Sequence, residues 1–312
     1  MNGVVEGFAA LVAVIAVGWV VGRVGILGPD ASGVLSRLSF YVATPALLLL
    51  TLADADPAVL VSAALVGTAG SAVLSGLIYV GVARWRWRLP AAELTTGGLA
   101  SSYVNAGNLG VPIAVYVLGD ASFVAPVLLF QVLVLAPVGL AVLARSRTTG
   151  EAGTGSTARW RMLTQPLRTP VVVGCGLGVL LAATGAELPP LLLEPIHLVA
   201  ALAVPAALLA YGMSLHGAPR PASGDGSGQV WLAVALKTVG QPVLAYALGR
   251  WVAGLEGVGL LAVTVTSALP TAQNVFVYAS SYDRGTLLAR DVVLLTTVLS
   301  VPVLVGLALL LG

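Results

Sequence analysis

Apolar residues run in long blocks separated by short polar loops. Ten blocks can be counted, at about 4–24, 31–52, 57–83, 91–118, 123–144, 170–184, 196–215, 230–253, 258–282 and 286–311. Most approach or exceed the ~20 residues that a helix rising 1.5 Å per residue needs to cross a bilayer core. The pattern therefore predicts ten transmembrane helices. The first block has no basic residues ahead of it and runs on to Val24, so it reads as a spanning helix and not as a cleavable leader. The third is rich in Gly, Ala and Ser, which suit close helix packing in lipid. The longest polar stretch, about 145–165, is rich in Gly, Ser and Thr and reads as a linker between two halves.

Two blocks carry what a simple span avoids. The fourth contains Ser101-Ser102-Tyr103-Val104-Asn105-Ala106-Gly107-Asn108-Leu109-Gly110-Val111-Pro112. Pro112 has no N–H, so the Asn108 carbonyl loses its helical partner. Lipid cannot satisfy such a group, and broken backbone is tolerated at membrane depth only on protein or in a wet cavity. The ninth block contains Thr266-Ser267-Ala268-Leu269-Pro270-Thr271-Ala272-Gln273-Asn274. An offset of 162 lays Asn108 on Pro270 and Pro112 on Asn274. Thr44-Pro45 against Val204-Pro205 is a weaker match, at an offset of 160. Interrupted helices at corresponding places in two halves point to a transporter binding site.

Charge fixes the expected orientation. Of the residues, 58% are hydrophobic and 9% charged, with mean hydropathy +0.99. Soluble domains carry roughly 25% charge, so the chain reads as an integral membrane protein, and its net charge of +2 gives no reason to expect nucleic acid. Basic residues gather after the odd-numbered blocks, with Arg84, Arg86 and Arg88 after the third and Arg145, Arg147, Arg159, Arg161 and Arg168 after the fifth. Acids gather after the even ones: Asp54, Asp56, Asp120, Glu187, Glu194 and Glu256. Basic loops face the cytoplasm. The linker is then cytoplasmic and both termini lie outside. Five helices per half is odd, so the halves, 1–147 and 166–312 around a 148–165 linker, must be inverted repeats.

The candidate chemistry is that of binding. There is no phosphate loop, deep carboxylate pair, histidine pair for a metal or nucleophile with a base, and Cys175 is the only cysteine. An enzyme, a cofactor and a bound metal are not expected. At each break the downstream half-helix offers free N–H groups and the positive end of its dipole, a place for a carboxylate. Asn105, Asn108, Gln273 and Asn274 add amide groups beside Pro112 and Pro270; alternatively these amides satisfy only the freed backbone. Gly107 and Gly110 could leave room for ligand or serve close helix crossing.

Lys237 lies about seven residues into the eighth block, with Gln241 one turn on. It reads either as a fixed cation near the crossover, raising anion affinity or replacing a coupling cation, or as a side chain snorkelling to the surface. Arg290, Asp291 and His197 are expected at the interface, and Trp85 and Trp87 as interfacial anchors.

Asn105-Ala106-Gly107-Asn108-Leu109-Gly110-Val111-Pro112, Pro270-Thr271-Ala272-Gln273-Asn274, and Lys237 with Gln241-Pro242 together resemble the auxin efflux carrier family, in the bile, arsenite and riboflavin transporter superfamily. The resemblance covers nearly the whole chain. It implies an all-α polytopic membrane protein of ten transmembrane helices in two inverted five-helix repeats, helices 4 and 9 broken and crossing at the midplane, as in bile-acid symporters. It implies a scaffold of helices 1, 2, 6 and 7, through which a homodimer could form, and a transport unit of helices 3–5 and 8–10. It implies elevator-type export of small organic anions across a bacterial plasma membrane, with the broken-helix residues, Lys237 and Gln241 at the substrate. A sodium- or proton-coupled symporter is the alternative, and a non-transporting anion sensor the alternative of another class.

Overall fold

The computed structural model describes residues 2–54, 62–110, 113–114, 118–148, 170–186, 188–218, 220–224 and 226–311, the backbone alone at some of them. Its elements are helical throughout the described residues. They are α1 Asn2–Val24, α2 Ala31–Ala53, α3 Ala63–Arg86, α4 Ala91–Ser102, α5 Ser122–Ser146, α6 Pro170–Thr184, α7 Pro190–Leu215, α8 Ser227–Val252, α9 Gly257–Ser267, α10 Gln273–Tyr282 and α11 Thr286–Leu311. Helices α2, α3, α5, α7, α8 and α11 are long and apolar enough to cross a membrane. The expected linker falls almost wholly on residues 149–169, outside the described ones.

Prolines shape the long helices. Pro45, Pro137 and Pro242 each stand two residues after a π-helical turn: Ser39–Ala43, Gln131–Leu135 and Leu236–Gly240 respectively. A proline inside a helix removes one hydrogen bond and crowds the preceding turn. Widening that turn to π geometry accommodates the ring without breaking the helix, and such bulges often carry function. The second and third of these turns hold Gln131 and Lys237.

The helices pack in two sets. Helices α1 and α7, α7 and α2, and α2 and α6 lie against one another. Separately, α3 packs on α4, α8 and α9, and α4 on α5. Close approach in the first set depends on small residues. A Cβ at Gly212 of α7 would collide with the Ile15 carbonyl of α1, and one at Gly174 of α6 with the Pro45 carbonyl of α2. Large apolar side chains such as Leu191, Leu198 and Val243 cover the outer surface.

Arg290 and Asp291 differ from the interfacial expectation. They are 4% and 6% exposed and pair with each other, Arg290 Nε donating to Asp291 Oδ1 at 2.7 Å. Asp291 Oδ2 accepts the Ala222 N–H at 2.9 Å, and the Tyr211 hydroxyl donates to the Arg290 carbonyl at 3.0 Å. The loop before α8 folds over the start of α11 and excludes water from the pair. His197 and Trp85 are exposed.

Candidate substrate site at the helix crossing

The site is built around two short extended segments. Helix α4 stops at Ser102, α9 stops at Ser267, and α10 begins at Gln273. Between them, residues 103–105 run antiparallel to residues 270–272. The Asn105 N–H donates to the Pro270 carbonyl at 2.8 Å, and the Ala272 N–H to the Tyr103 carbonyl at 3.1 Å. Pro270 suits this role because the crossing uses only its carbonyl. Extended backbone leaves outward-facing groups to satisfy, and side chains of neighbouring helices do so. Gln131 of α5 accepts the Val104 N–H with Oε1 and donates to the Val104 carbonyl from Nε2, the latter at 3.1 Å. Thr296 of α11 accepts the Thr271 N–H at 3.1 Å, and Thr271 Oγ1 donates to the Ala100 carbonyl at 2.6 Å.

Among the described residues, the fourth block breaks at 103–105, within the stretch 101–112 singled out in the sequence. Pro112 is outside the described residues. The crossing pairs Val104 with Thr271, 167 positions apart. The sequence offset aligned an Asn–Pro pattern; the backbone pairing follows the ends of the helices.

The expected residues divide into three groups. Asn105, Pro270 and Gln273 are buried at the crossing, and Asn274 is half-buried beside the hydroxyls of Tyr103 and Tyr278. The N-cap of α10 is Ala272, which makes no side-chain cap; the Val275 N–H donates to the Ala272 carbonyl at 3.1 Å, while the Gln273 and Asn274 N–H groups have no acceptor within the helix. Asn108 is described in its backbone alone; Asn105 O accepts from the Leu109 N–H at 3.2 Å and the Gly110 N–H at 3.1 Å, starting the downstream turn Ala106–Gly110. The second group is the glycines, which separate. Among the described residues, a Cβ at Gly107 would meet nothing within 4 Å, whereas one at Gly110 would stand 3.0 Å from Val124 and 3.2 Å from Leu269. Gly110 serves packing and Gly107 borders open space.

Lys237 and Gln241 form the third group, on the opposite side of the crossing. Lys237 is 0% exposed, and its Nζ donates to the carbonyl of Ser267, the last residue of α9, at 2.8 Å. Gln241 Nε2 donates to the carbonyl of Ser102, the last residue of α4, at 3.0 Å. Lys237 stands ten residues into α8, not seven, or ~15 Å along the axis. The side chain is turned inward and does not snorkel.

The downstream segments face the first packing set. The turn Ala106–Gly110 touches α1, and α10 touches α2 and α7. The contact with α10 is aromatic and edge-to-face: Phe40 with Tyr278 at 6.0 Å and with Tyr282 at 5.8 Å, and Tyr211 with Phe276 at 5.5 Å between centroids. Sequence reasoning missed this seam, and Gln131 and Thr296 too. Gln131 had a signal, since it is the one amide in an otherwise apolar block.

A broken-helix crossing inside a polytopic membrane protein narrows the choice, and a comparison of the whole chain decides it. The family model described as membrane transport protein matches residues 4–307. The chain belongs to this family. A relative described as "Putative malonate transporter", from Rhizobium meliloti (strain 1021), is 27% identical over 279 residues, covering 89% of this chain and 86% of the relative. As a member of the membrane transport protein family, the chain is a multi-pass membrane transporter and not an enzyme. The likeness to auxin efflux carriers read from the Asn-Gly and Pro-Thr motifs falls within the same family.

Proposed function

We propose that this transporter carries small organic anions, dicarboxylates of the malonate class first among them, by alternating access at the crossing. The observation that carries the reading is the pairing of 103–105 with 270–272. It holds the start of α10, with Asn274 in its first turn, at the same crossing from which the turn Ala106–Gly110 leaves. Helix N-termini attract carboxylates. The relative's description as a malonate transporter supports the same substrate class.

In this reading α1, α2, α6 and α7 are a scaffold, through which two copies would associate, and the remaining helices are a transport unit that slides along it as an elevator. The two halves are inverted repeats of five helices, counting α9 with α10 as one broken helix. The aromatic seam of Phe40, Tyr211, Phe276 and Tyr278 is the sliding surface. Both termini face outside the bacterial plasma membrane, and net movement is export.

The test is charge movement in proteoliposomes over a panel of mono- and dicarboxylates, with and without sodium and proton gradients. Current with a dicarboxylate and no cation gradient supports the carrier. Current only with sodium or protons replaces it by a coupled symporter. Binding without transport replaces it by a sensor. Asn108→Ala and Asn274→Ala should each lower binding at least about tenfold in folded protein, and full binding in both removes the crossing as the site.

A further inference from the structure

We propose that the ends of α4 and α9 form a monovalent-cation site that the chain fills with its own ammonium group, that of Lys237. Each helix C-terminus carries roughly half a negative charge on its last carbonyls. Here one face of α8 meets both: Lys237 at Ser267 and, one turn on, Gln241 at Ser102. The π-helical turn Leu236–Gly240, placed by Pro242, sets Lys237 there.

The surroundings have the donor set of a cation site. Oxygens dominate, the hard ligands such ions take. The Ser267 carbonyl accepts from the Lys237 ammonium; the Ser267 hydroxyl, 3.4 Å from the Ser71 hydroxyl, and Gln241 Oε1, one turn on along α8, are further oxygens that these helices carry and that Lys237 does not bond. Gln241 is 0% exposed, and its Oε1 is buried without a hydrogen-bond partner. The ion pairs among the described residues, Arg250–Glu256 and Arg290–Asp291, do not involve Lys237. A buried ammonium without a carboxylate is costly, and the two helix ends are the negative charge that offsets it. The site is thus already occupied, and the chain needs no sodium there.

The inference adds to the proposed function a reason for cation independence, and it can fail separately. Lys237→Ala and Lys237→Gln empty the site. In detergent, their unfolding temperature should rise with sodium or methylammonium at a concentration on the order of 100 mM, relative to choline at equal ionic strength, as mass action requires. The wild type should show no such rise. Dicarboxylate affinity should fall at least about tenfold in choline for both variants and recover with the small cations.

The stability readout does not depend on what is transported. If wild-type protein moves no anion yet the variants show the cation-dependent rise, the carrier reading fails and the cation site stands. Equal unfolding temperatures of the variants in all three cations overturn the site, as does a sodium-dependent rise in the wild type. Aggregation of both variants that sodium and methylammonium do not relieve also overturns it.

Discussion

Gln131 grips Val104 with both ends of its amide, Oε1 accepting the Val104 N–H while Nε2 donates to the Val104 carbonyl at 3.1 Å. The contact joins α5 to the extended segment that interrupts the fourth block, where no water is at hand to replace it. Gln131→Leu has similar bulk and no polar atoms, so it strands two backbone groups. Each orphaned buried group costs about 1–3 kcal/mol. Chemical unfolding in detergent should show a loss of that order for each group, and the crossing should loosen enough to lower transport. An unchanged unfolding midpoint would mean that the segment finds other partners.

Gly107 and Gly110 sit three residues apart and should respond oppositely. A side chain at Gly107 enters open space, whereas one at Gly110 presses on Val124 and Leu269. Gly107→Leu should leave the unfolding temperature within the small range of surface substitutions and depress dicarboxylate transport by obstruction. Gly110→Leu overpacks a filled site, at a cost of about 1–3 kcal/mol. Thermal unfolding paired with uptake separates the two effects. Normal transport by Gly107→Leu would remove that space from the substrate's route.

Much of the arrangement was legible in the sequence because membranes punish irregularity. Apolar blocks announced the helices, and amides, glycines and prolines inside two of them announced the breaks. The place of the first break was not legible. The extended residues are 103–105, because Gln131 and the 270–272 segment satisfy them there, while Pro112 lies outside the described residues. Such partners lie far off in sequence, and spacing along one helix does not reveal them. Lys237 could have snorkelled on its length alone; the carbonyl end of α9 decides its direction, and that too is a tertiary relation.

Arg290 and Asp291 were misplaced for the same reason, since nothing local says that the loop carrying Ala222 folds over them. Removing one member of a buried pair leaves an uncompensated charge, which costs about 3–5 kcal/mol. Asp291→Ala should therefore destabilise more than the double variant Arg290→Ala with Asp291→Ala, in which no charge is stranded. Unfolding midpoints for the two singles and the double complete the cycle. Additive losses would show that water reaches the pair.

Asn274 offers the sharpest test of where the anion's headgroup lies. It is half-buried in the first turn of α10, where the helix dipole favours negative charge, and its amide adjoins Tyr103 and Tyr278. Asn274→Asp keeps the shape and adds a carboxylate. That charge suits the helix start, so the protein should fold as before, but it competes with the substrate for the same N–H groups. Malonate binding by titration calorimetry should then be lost, and lost more completely than in Asn274→Ala, which removes donors without adding repulsion. Like charges in a partly dry site repel far more than in water. Wild-type affinity in Asn274→Asp would place the headgroup elsewhere and leave the start of α10 a structural joint.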